Sequence, residues 1–309
     1  MPWDPRIQAL VDRYPSLRAV GNTPLVPVDV LRKELPEVEV YAKLESLNPG
    51  GSLKDRPVLR MLLSALDEGR LGGGRTVLDS SSGNAGIAYA MIGKVIGVPV
   101  EIVIPDNASL ERKKRMRAHG ATLTFTDGLL GYDEALREVR RRYEAHPDRY
   151  FFCDQYSNED NWRAHYETTA AEVMAQMPAP PTHVVLGVGT GGTITGVGRR
   201  LKQHDPSIRV ICVVPEAFPG VEGLKPLGSG GDIVPAILDE KVIDERVPVT
   251  VDESYAMCVR LAGAGFFVGQ SSGAYMAGVE RVARQVGRGR FLTVLNDIGE
   301  RYFSTRLWD

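Results

Sequence analysis

The feature that most constrains this chain is a sustained alternation of short β-like runs with amphipathic stretches, joined at several points by glycine-rich turns. Val38 to Lys43, Thr76 to Asp79, Val98 to Ile104, Thr122 to Phe125 and Tyr150 to Cys153 read as strands in the first half. Helical spacing runs over Pro57 to Glu68, Asn84 to Ile96, Leu110 to His119 and Tyr132 to Tyr143. The second half repeats the theme. Asp160 to Gln176, Gly192 to Lys202, Glu253 to Ala262 and Gly273 to Gln285 read as helices; His183 to Leu186, Arg209 to Val214 and Phe291 to Leu295 read as strands. Pro57 falls where a helix start tolerates proline, and Ser109 is a side-chain cap candidate for the helix at Leu110. This alternation predicts an α/β fold with two open, mostly parallel sheets, one per half. Phe218 to Asp244 breaks the pattern, with Gly228-Ser229-Gly230-Gly231 at its centre. So long an aperiodic segment is either a loop at the mouth of a site or a variable surface excursion.

At 309 residues the chain is long enough for one large or two moderate domains. A net charge of −2 gives no basic field for nucleic acid. The runs Arg112-Lys113-Lys114-Arg115 and Arg140-Arg141-Arg142 read as solvated helix faces. Cys153, Cys212 and Cys258 are odd in number and far apart, with neither metal spacing nor a disulfide framework, which fits a reducing compartment and no metal. No apolar core of a signal peptide occurs near Met1 to Arg6, and no run of about 18 apolar residues is present, so a cytoplasmic protein is expected.

Four turns carry candidate chemistry. Asn48 to Pro57 places Lys54 on a Gly-Ser turn between a strand and a helix. Burial there would lower the lysine's pKa and make its amine nucleophilic, although most lysines in such turns are solvated. Gly187 to Gly196 follows a strand and opens a helix, with Gly189, Thr190, Gly191, Gly192 and Thr193 at the junction. Converging backbone N–H groups, a helix N-terminus and hydroxyls suit a phosphate. The turn lacks the Gly-Lys-Ser/Thr ending of a nucleotide P-loop. It does fit a Gly-x-Gly-x-x-Gly count, and Asp205 and Glu216 keep a dinucleotide site open. Ser80 to Gly86 is a third strand-to-helix turn, suited to a carboxylate or to simple helix capping. Gly269 to Ala274 is the fourth, with the same two readings.

Taken together, these segments closely resemble the fold-type II pyridoxal-phosphate (PLP) enzymes, in particular the cysteine synthase (O-acetylserine sulfhydrylase) and cystathionine β-synthase group. The resemblance is carried in order by Gly21-Asn22-Thr23-Pro24-Leu25, Lys43-Leu44-Glu45, Asn48-Pro49, Gly51 to Arg56, Ser82-Gly83-Asn84, Pro105-Asp106-Asn107, Glu111-Arg112, Gln155, Asn158, His165-Tyr166, Gly189 to Thr193, Gly269, Ser271 to Gly273 and Asp297 to Thr305. It covers nearly the whole chain, and Pro105 to Arg112 and Asp297 to Thr305 look most like the B-type cysteine synthases.

The resemblance implies the tryptophan synthase β-like architecture, with a smaller, mobile substrate-binding domain over residues 37–157 and a larger PLP-binding domain over 1–36 and 158–309. It implies PLP as cofactor, with Lys54 as the Schiff-base lysine and general base. Asn84 would meet the cofactor's 3′ oxygen, Gly189 to Thr193 its phosphate and Ser271 its pyridine nitrogen. Ser81, Ser82, Asn84, Ala85 and Gln155 would hold the substrate. The implied reaction is β-replacement, forming L-cysteine from O-acetylserine or O-phosphoserine and a sulfur donor, either sulfide or a thiocarboxylated carrier protein, in a homodimer. The chain departs from the family pattern at Ala85, where a threonine hydroxyl is usual, at Thr169-Ala170-Ala171-Glu172, at Asn296-Asp297 and in the loop Gly220 to Gly228. Asp297 either tunes the site or bonds neighbouring backbone. Lys225 either meets a substrate phosphate or is solvated. The alternatives are a cystathionine β-synthase using serine and homocysteine, a serine/threonine dehydratase, and an inactive PLP-fold interaction protein.

Overall fold

The computed structural model describes residues 3–81, 83–227 and 234–309. In chain order its elements are α1 (Pro5–Val11), β1 (Leu25–Pro27), β2 (Val38–Leu44), α2 (Asp55–Asp67), β3 (Thr76–Ser80), α3 (Asn84–Ile96), β4 (Val100–Pro105), α4 (Leu110–Ala118), β5 (Thr122–Thr126), α5 (Tyr132–Ala145) and β6 (Tyr150–Phe152). There follow α6 (Asp160–Ala164), α7 (Ala170–Gln176), β7 (His183–Gly187), α8 (Gly192–His204), β8 (Arg209–Pro215), β9 (Glu245–Val249), α9 (Val251–Gly263), α10 (Gln270–Val286) and β10 (Gly289–Leu295).

Two sheets form, as the alternation predicts. One runs β1-β2-β10-β7-β8-β9, parallel except for the antiparallel β1–β2 pair; the other runs β5-β4-β3-β6 and is parallel throughout. Strands covered on both faces are continuously apolar. Phe291 to Leu295 in β10 and Val184 to Leu186 in β7 are buried without interruption and anchor the larger core. Burial of each such large aliphatic or aromatic side chain stabilises the fold by about 1.5–3 kcal/mol. A second core lies between the smaller sheet and α1, α2 and α3, and a third, around Leu78, Val103 and Val139, packs α5 against it.

The expected boundary at residue 37 needs correction. β2 is not part of the smaller sheet: it pairs in parallel with β10 along its whole length, Val38 to Leu44 against Gly289 to Leu295. The chain crosses between sheets only after β2, through the Lys54 turn and α2. That helix is buried nearly all round, including Arg56, as expected for an element wedged between two layers. Ser109 stands at the N-cap of α4, but its hydroxyl makes no capping bond and is buried without a partner. The helix expected over Asp160 to Gln176 is interrupted by a π turn, His165–Thr169. Among the described residues no helix is long and apolar enough to cross a membrane.

Candidate active site

Parallel α/β sheets place their functional loops beyond the carboxyl ends of the strands, and here both sheets turn those ends toward one cleft of about 850 Å³. Lys54, Ser81, Asn84, Ala85, Gln155, Gly189, Thr190, Gly191, Thr193, Lys225 and Ser271, all singled out from sequence, line it. Gly192 lies behind the lining, against Asn161. Ser82 falls outside the described residues, as do Gly228 to Gly231 of the irregular segment.

Lys54 is fixed by its turn. The Leu53 N–H donates to the Asn296 carbonyl at 2.9 Å and Ser52 bridges Asp297, tying the turn to the end of β10. The Asp55 carboxylate accepts from the Gly50 N–H, folding back onto the turn rather than into the cleft. Burial raises the Asp55 carboxyl to about 7. The Lys54 ammonium has neither a hydrogen bond nor an ion pair among the described residues, and burial alone lowers it to about 8. A desolvated amine without a counter-ion is a nucleophile and a proton acceptor near neutral pH.

The turn after β7 is built for close approach. Gly191 takes φ +84°, a left-handed conformation that suits glycine. A Cβ on Gly189 would lie 2.5 Å from the Gly223 carbonyl oxygen, and one on Gly192 would lie 2.0 Å from Asn161 Oδ1. The start of α8 adds N–H groups without intrahelical partners. The loop is braced from behind: Asn161 Nδ2 donates to Thr190 Oγ1 at 3.0 Å, and Thr193 Oγ1 meets His165 Nε2 at 3.3 Å. Burial drives His165 down to about 3, so this brace is a neutral imidazole. Asn161 was not singled out from sequence; only its contact across 29 residues identifies it.

In the turn after β3, Ser81 Oγ accepts from the Gly83 and Gly86 N–H groups at 3.1 and 2.8 Å, so this serine does cap α3 while facing the cleft. Asn84 is clamped at both ends of its amide: Nδ2 donates to Asp297 Oδ2 at 2.8 Å and Oδ1 accepts from Arg301. Asp297 therefore bonds side chains, with Tyr302 Oη donating at 2.9 Å, rather than only backbone. Gln155 is held by its Nε2 donating to the Ser80 carbonyl at 2.9 Å. Ser271 Oγ accepts from Asn296 Nδ2 at 2.9 Å.

Within the irregular segment, Pro219 to Pro226 forms a wall of the cleft. It meets the other half through two ion pairs, Glu222 with Arg112 of α4, and Lys225 with Asp133 at 3.6 Å. Lys225 is thus neither unpaired nor fully solvated. Arg112, Asp133, Tyr132, Tyr156 and Tyr302 also line the cleft. None of them was selected as a site residue from sequence, because none lies on one of the four candidate turns.

Residues 17–297 match the family described as pyridoxal-phosphate dependent enzyme. The chain is 47% identical over 304 residues to a cysteine synthase of Aquifex aeolicus (strain VF5), covering 96% of this chain and 92% of that protein. It is 35% identical to cysteine synthase B of Campylobacter jejuni, covering 94% of this chain and 96% of that one. In structure it is similar to O-ureido-L-serine synthase, with a TM-score of 0.87 at 35% identity over 100% of this chain and 96% of the other. The chain belongs to the fold-type II PLP-dependent enzymes. Within them it falls in the cysteine synthase group, and its general reaction is PLP-dependent formation of cysteine.

The residues present fit that cofactor. An unpaired amine, a glycine turn that a Cβ would fill, and the buried Asn296 Oδ1 without a partner beside Ser271 all face or flank the same cleft. Gly189→Ala is expected to weaken PLP binding by about tenfold or more, since it pushes the loop off the Gly223 carbonyl; a tenfold loss is about 1.4 kcal/mol. Spectral titration of the apoprotein checks this. Gly263→Ala, which meets no atom within 4 Å, serves as the control.

Proposed function

We propose that the chain catalyses β-replacement on O-acetylserine, releasing acetate and forming L-cysteine with sulfide as the sulfur donor. The observation that carries this reading is Lys54, a desolvated amine without a counter-ion between two loops rich in N–H donors. Bound PLP supplies the electron sink that makes the substrate α-proton labile and lets the β-substituent depart. Lys54 removes that proton and later returns one to the same carbon. Gly189, Thr190, Gly191, Gly192 and Thr193 hold the cofactor phosphate, Ser271 the pyridine nitrogen and Asn84 the 3′ oxygen. Asn84 can do so because the clamp from Asp297 and Arg301 leaves one amide hydrogen to donate. Ser81, Ser82, Asn84, Ala85 and Gln155 orient the substrate carboxylate.

The Asp133 carboxylate beside Lys225 favours the acetyl ester over O-phosphoserine. A phosphate dianion drawn to Lys225 meets Asp133 as well, whereas a neutral acetyl group does not. With sulfide as acceptor, kcat/KM is expected to be at least about tenfold higher for O-acetylserine than for O-phosphoserine, a difference of about 1.4 kcal/mol in transition-state stabilisation. A preference for O-phosphoserine would overturn this choice. Turnover with free sulfide at a rate within the usual enzyme range is the expected result; turnover only with a thiocarboxylated carrier protein would overturn the choice of sulfide. The reaction's two halves predict ping-pong kinetics. A cytoplasmic homodimer, with the four-stranded unit moving as the cleft closes, completes the reading; the three buried, unpaired cysteines suit that compartment.

A further inference from the structure

Asp79 is an interior carboxyl with no cation to match it. It stands near the end of β3, is 0% exposed, and forms no ion pair among the described residues. Burial pushes it up to about 7, against hydrogen bonds from the Tyr89 hydroxyl and from the Ser80 and Gln155 backbone. A buried charge of this kind costs stability unless its lone pairs are used. Asp79 uses them: Oδ1 accepts from the Ser80 N–H at 2.8 Å, and Oδ2 accepts from Tyr89 Oη at 2.6 Å. Tyr89 is itself fully buried on α3, so the carboxyl is moored to that helix and not to solvent.

What Asp79 holds is the junction of two cleft-lining groups. Ser80 is also fully buried, and the peptides on its two sides are fixed separately. Its N–H is taken by Asp79. Its carbonyl accepts from Gln155 Nε2 at 2.9 Å and from Tyr132 Oη at 3.0 Å. The next residue, Ser81, faces the cleft, as does Gln155. Together these bonds fix the backbone at Ser80, and with it the direction in which Ser81 leaves β3. Because Gln155 bonds the Ser80 carbonyl, a shift at Ser80 moves both groups. Asp79 and Tyr89 do not line the cleft, so they act on it only through Ser80 and its neighbours.

We propose that Asp79, moored by Tyr89, is a positioning residue for the substrate α-carboxylate: it holds Ser80 so that Ser81 and Gln155 keep the spacing a carboxylate needs. This rests on the reading above in which Ser81 and Gln155 orient that carboxylate, and it adds the residues that set their geometry. Such a role has a thermodynamic signature. An uncompensated interior charge is a cost to the fold, so removing it at constant shape leaves stability level or higher while the site loses precision. A residue kept for stability alone would lower the melting temperature instead. Asp79→Asn makes the distinction at nearly constant volume. It turns one acceptor into a donor, so the Ser80 N–H and the Tyr89 hydroxyl are no longer both accepted.

The test titrates the PLP-loaded enzyme with L-serine and with L-serinamide, whose neutral amide replaces the carboxylate, and follows the visible cofactor band. In Asp79→Asn the Kd for L-serine is expected to rise about fivefold, the scale of one lost hydrogen bond, and in Asp79→Ala at least about tenfold. Tyr89→Phe keeps the Ser80 bond and is expected to fall between the parent and Asp79→Ala. The Kd for L-serinamide is expected to change by less than about twofold in all three variants. Asp79→Asn is expected to melt at or above the temperature of the parent. Equal rises for L-serine and L-serinamide, no rise for L-serine, or a lower melting temperature in Asp79→Asn would overturn the proposal. A parent enzyme that binds L-serine no better than L-serinamide would instead remove the carboxylate role of Ser81 and Gln155 beneath it. A cofactor band that neither amine shifts would overturn the β-replacement reading itself.

Discussion

Replacing Lys54 with alanine is expected to cut turnover by at least about a thousandfold, because a covalent anchor and a positioned base, the latter worth about 10²–10⁴, are lost together. The same variant is expected to lose the visible absorption band of lysine-bound cofactor while still binding PLP through the glycine turn, whose supports at Asn161 and His165 do not involve Lys54. Burial alone lowers this amine, to about 8. Among the described residues no carboxylate holds it charged, so the neutral form is within reach at neutral pH. The sign of the pH dependence follows. The protonated ammonium cannot attack the cofactor carbonyl, so capture of PLP by apoprotein slows about tenfold per unit below pH 8 and levels off above it. Stopped-flow absorbance on apoprotein between pH 6 and 9.5, a range of about two units on the acid side, reads this directly. A band that persists in Lys54→Ala, or a capture rate flat across that range, would remove Lys54 from the role.

Much of this arrangement was legible along the chain, for a physical reason. Helix and strand periods are local, and so are glycine turns at strand-to-helix junctions. The helix Asn84–Ile96 has the bounds that its spacing predicts. What escaped was short, atypical or long-range. β9 contains Pro248, which argues against a strand, but β9 is the sheet edge, where a missing N–H is tolerated. β1 is only three residues long, closing the opposite edge. The π turn His165–Thr169 has no signature in its own residues. It sits where Gly196 of α8 backs onto the chain so closely that a Cβ would lie 2.2 Å from the Trp162 carbonyl. In the site, Lys54, the two loops and Ser271 were visible because each lies on a distinctive turn. Asp133, Arg112 and Glu222 were not, because their meaning depends on which half of the molecule they face. The motifs around Gly21, Lys43, Glu45 and Arg56 stood out with equal clarity, but none of those four residues lines the cleft.

Those residues instead build a closed charge network, and cutting it at Arg56 is expected to give the largest stability loss outside the apolar cores. Arg56 is fully buried on α2 and donates to Glu45 at 2.7 and 2.8 Å and to Glu172 at 2.6 and 2.8 Å. Lys43 Nζ lies 2.6 Å from Glu172, so two cations offset two anions in the interior. Thr23 Oγ1 and Asn48 Nδ2 complete Glu45, and the Asn22 N–H donates to Glu172. Burial would raise Glu45, but Arg56 outweighs it and holds the carboxyl at about 2. In Arg56→Met the methionine fills much of the space while both carboxylates lose their main partner. Leaving a buried charge uncompensated costs about 3–5 kcal/mol, equivalent to a fall in Tm on the order of 10 °C for a chain this size. The pH dependence separates this cause from simple repacking. In the parent, Glu45 has a folded pKa below its unfolded value near 4.5, so its contribution is complete above pH 4.5 and is lost as pH falls toward 2. In the variant both carboxyls rise instead, and their penalty shrinks as they take up protons. Parent and variant melts should therefore lie further apart at pH 8 than at pH 5, a span of about three units in which the freed carboxyls titrate. Arg56→Met combined with Glu172→Gln removes one of the stranded charges and should recover part of the loss. A gap independent of pH, with no recovery in the double variant, would mean that Arg56 matters for its shape and not for its charge.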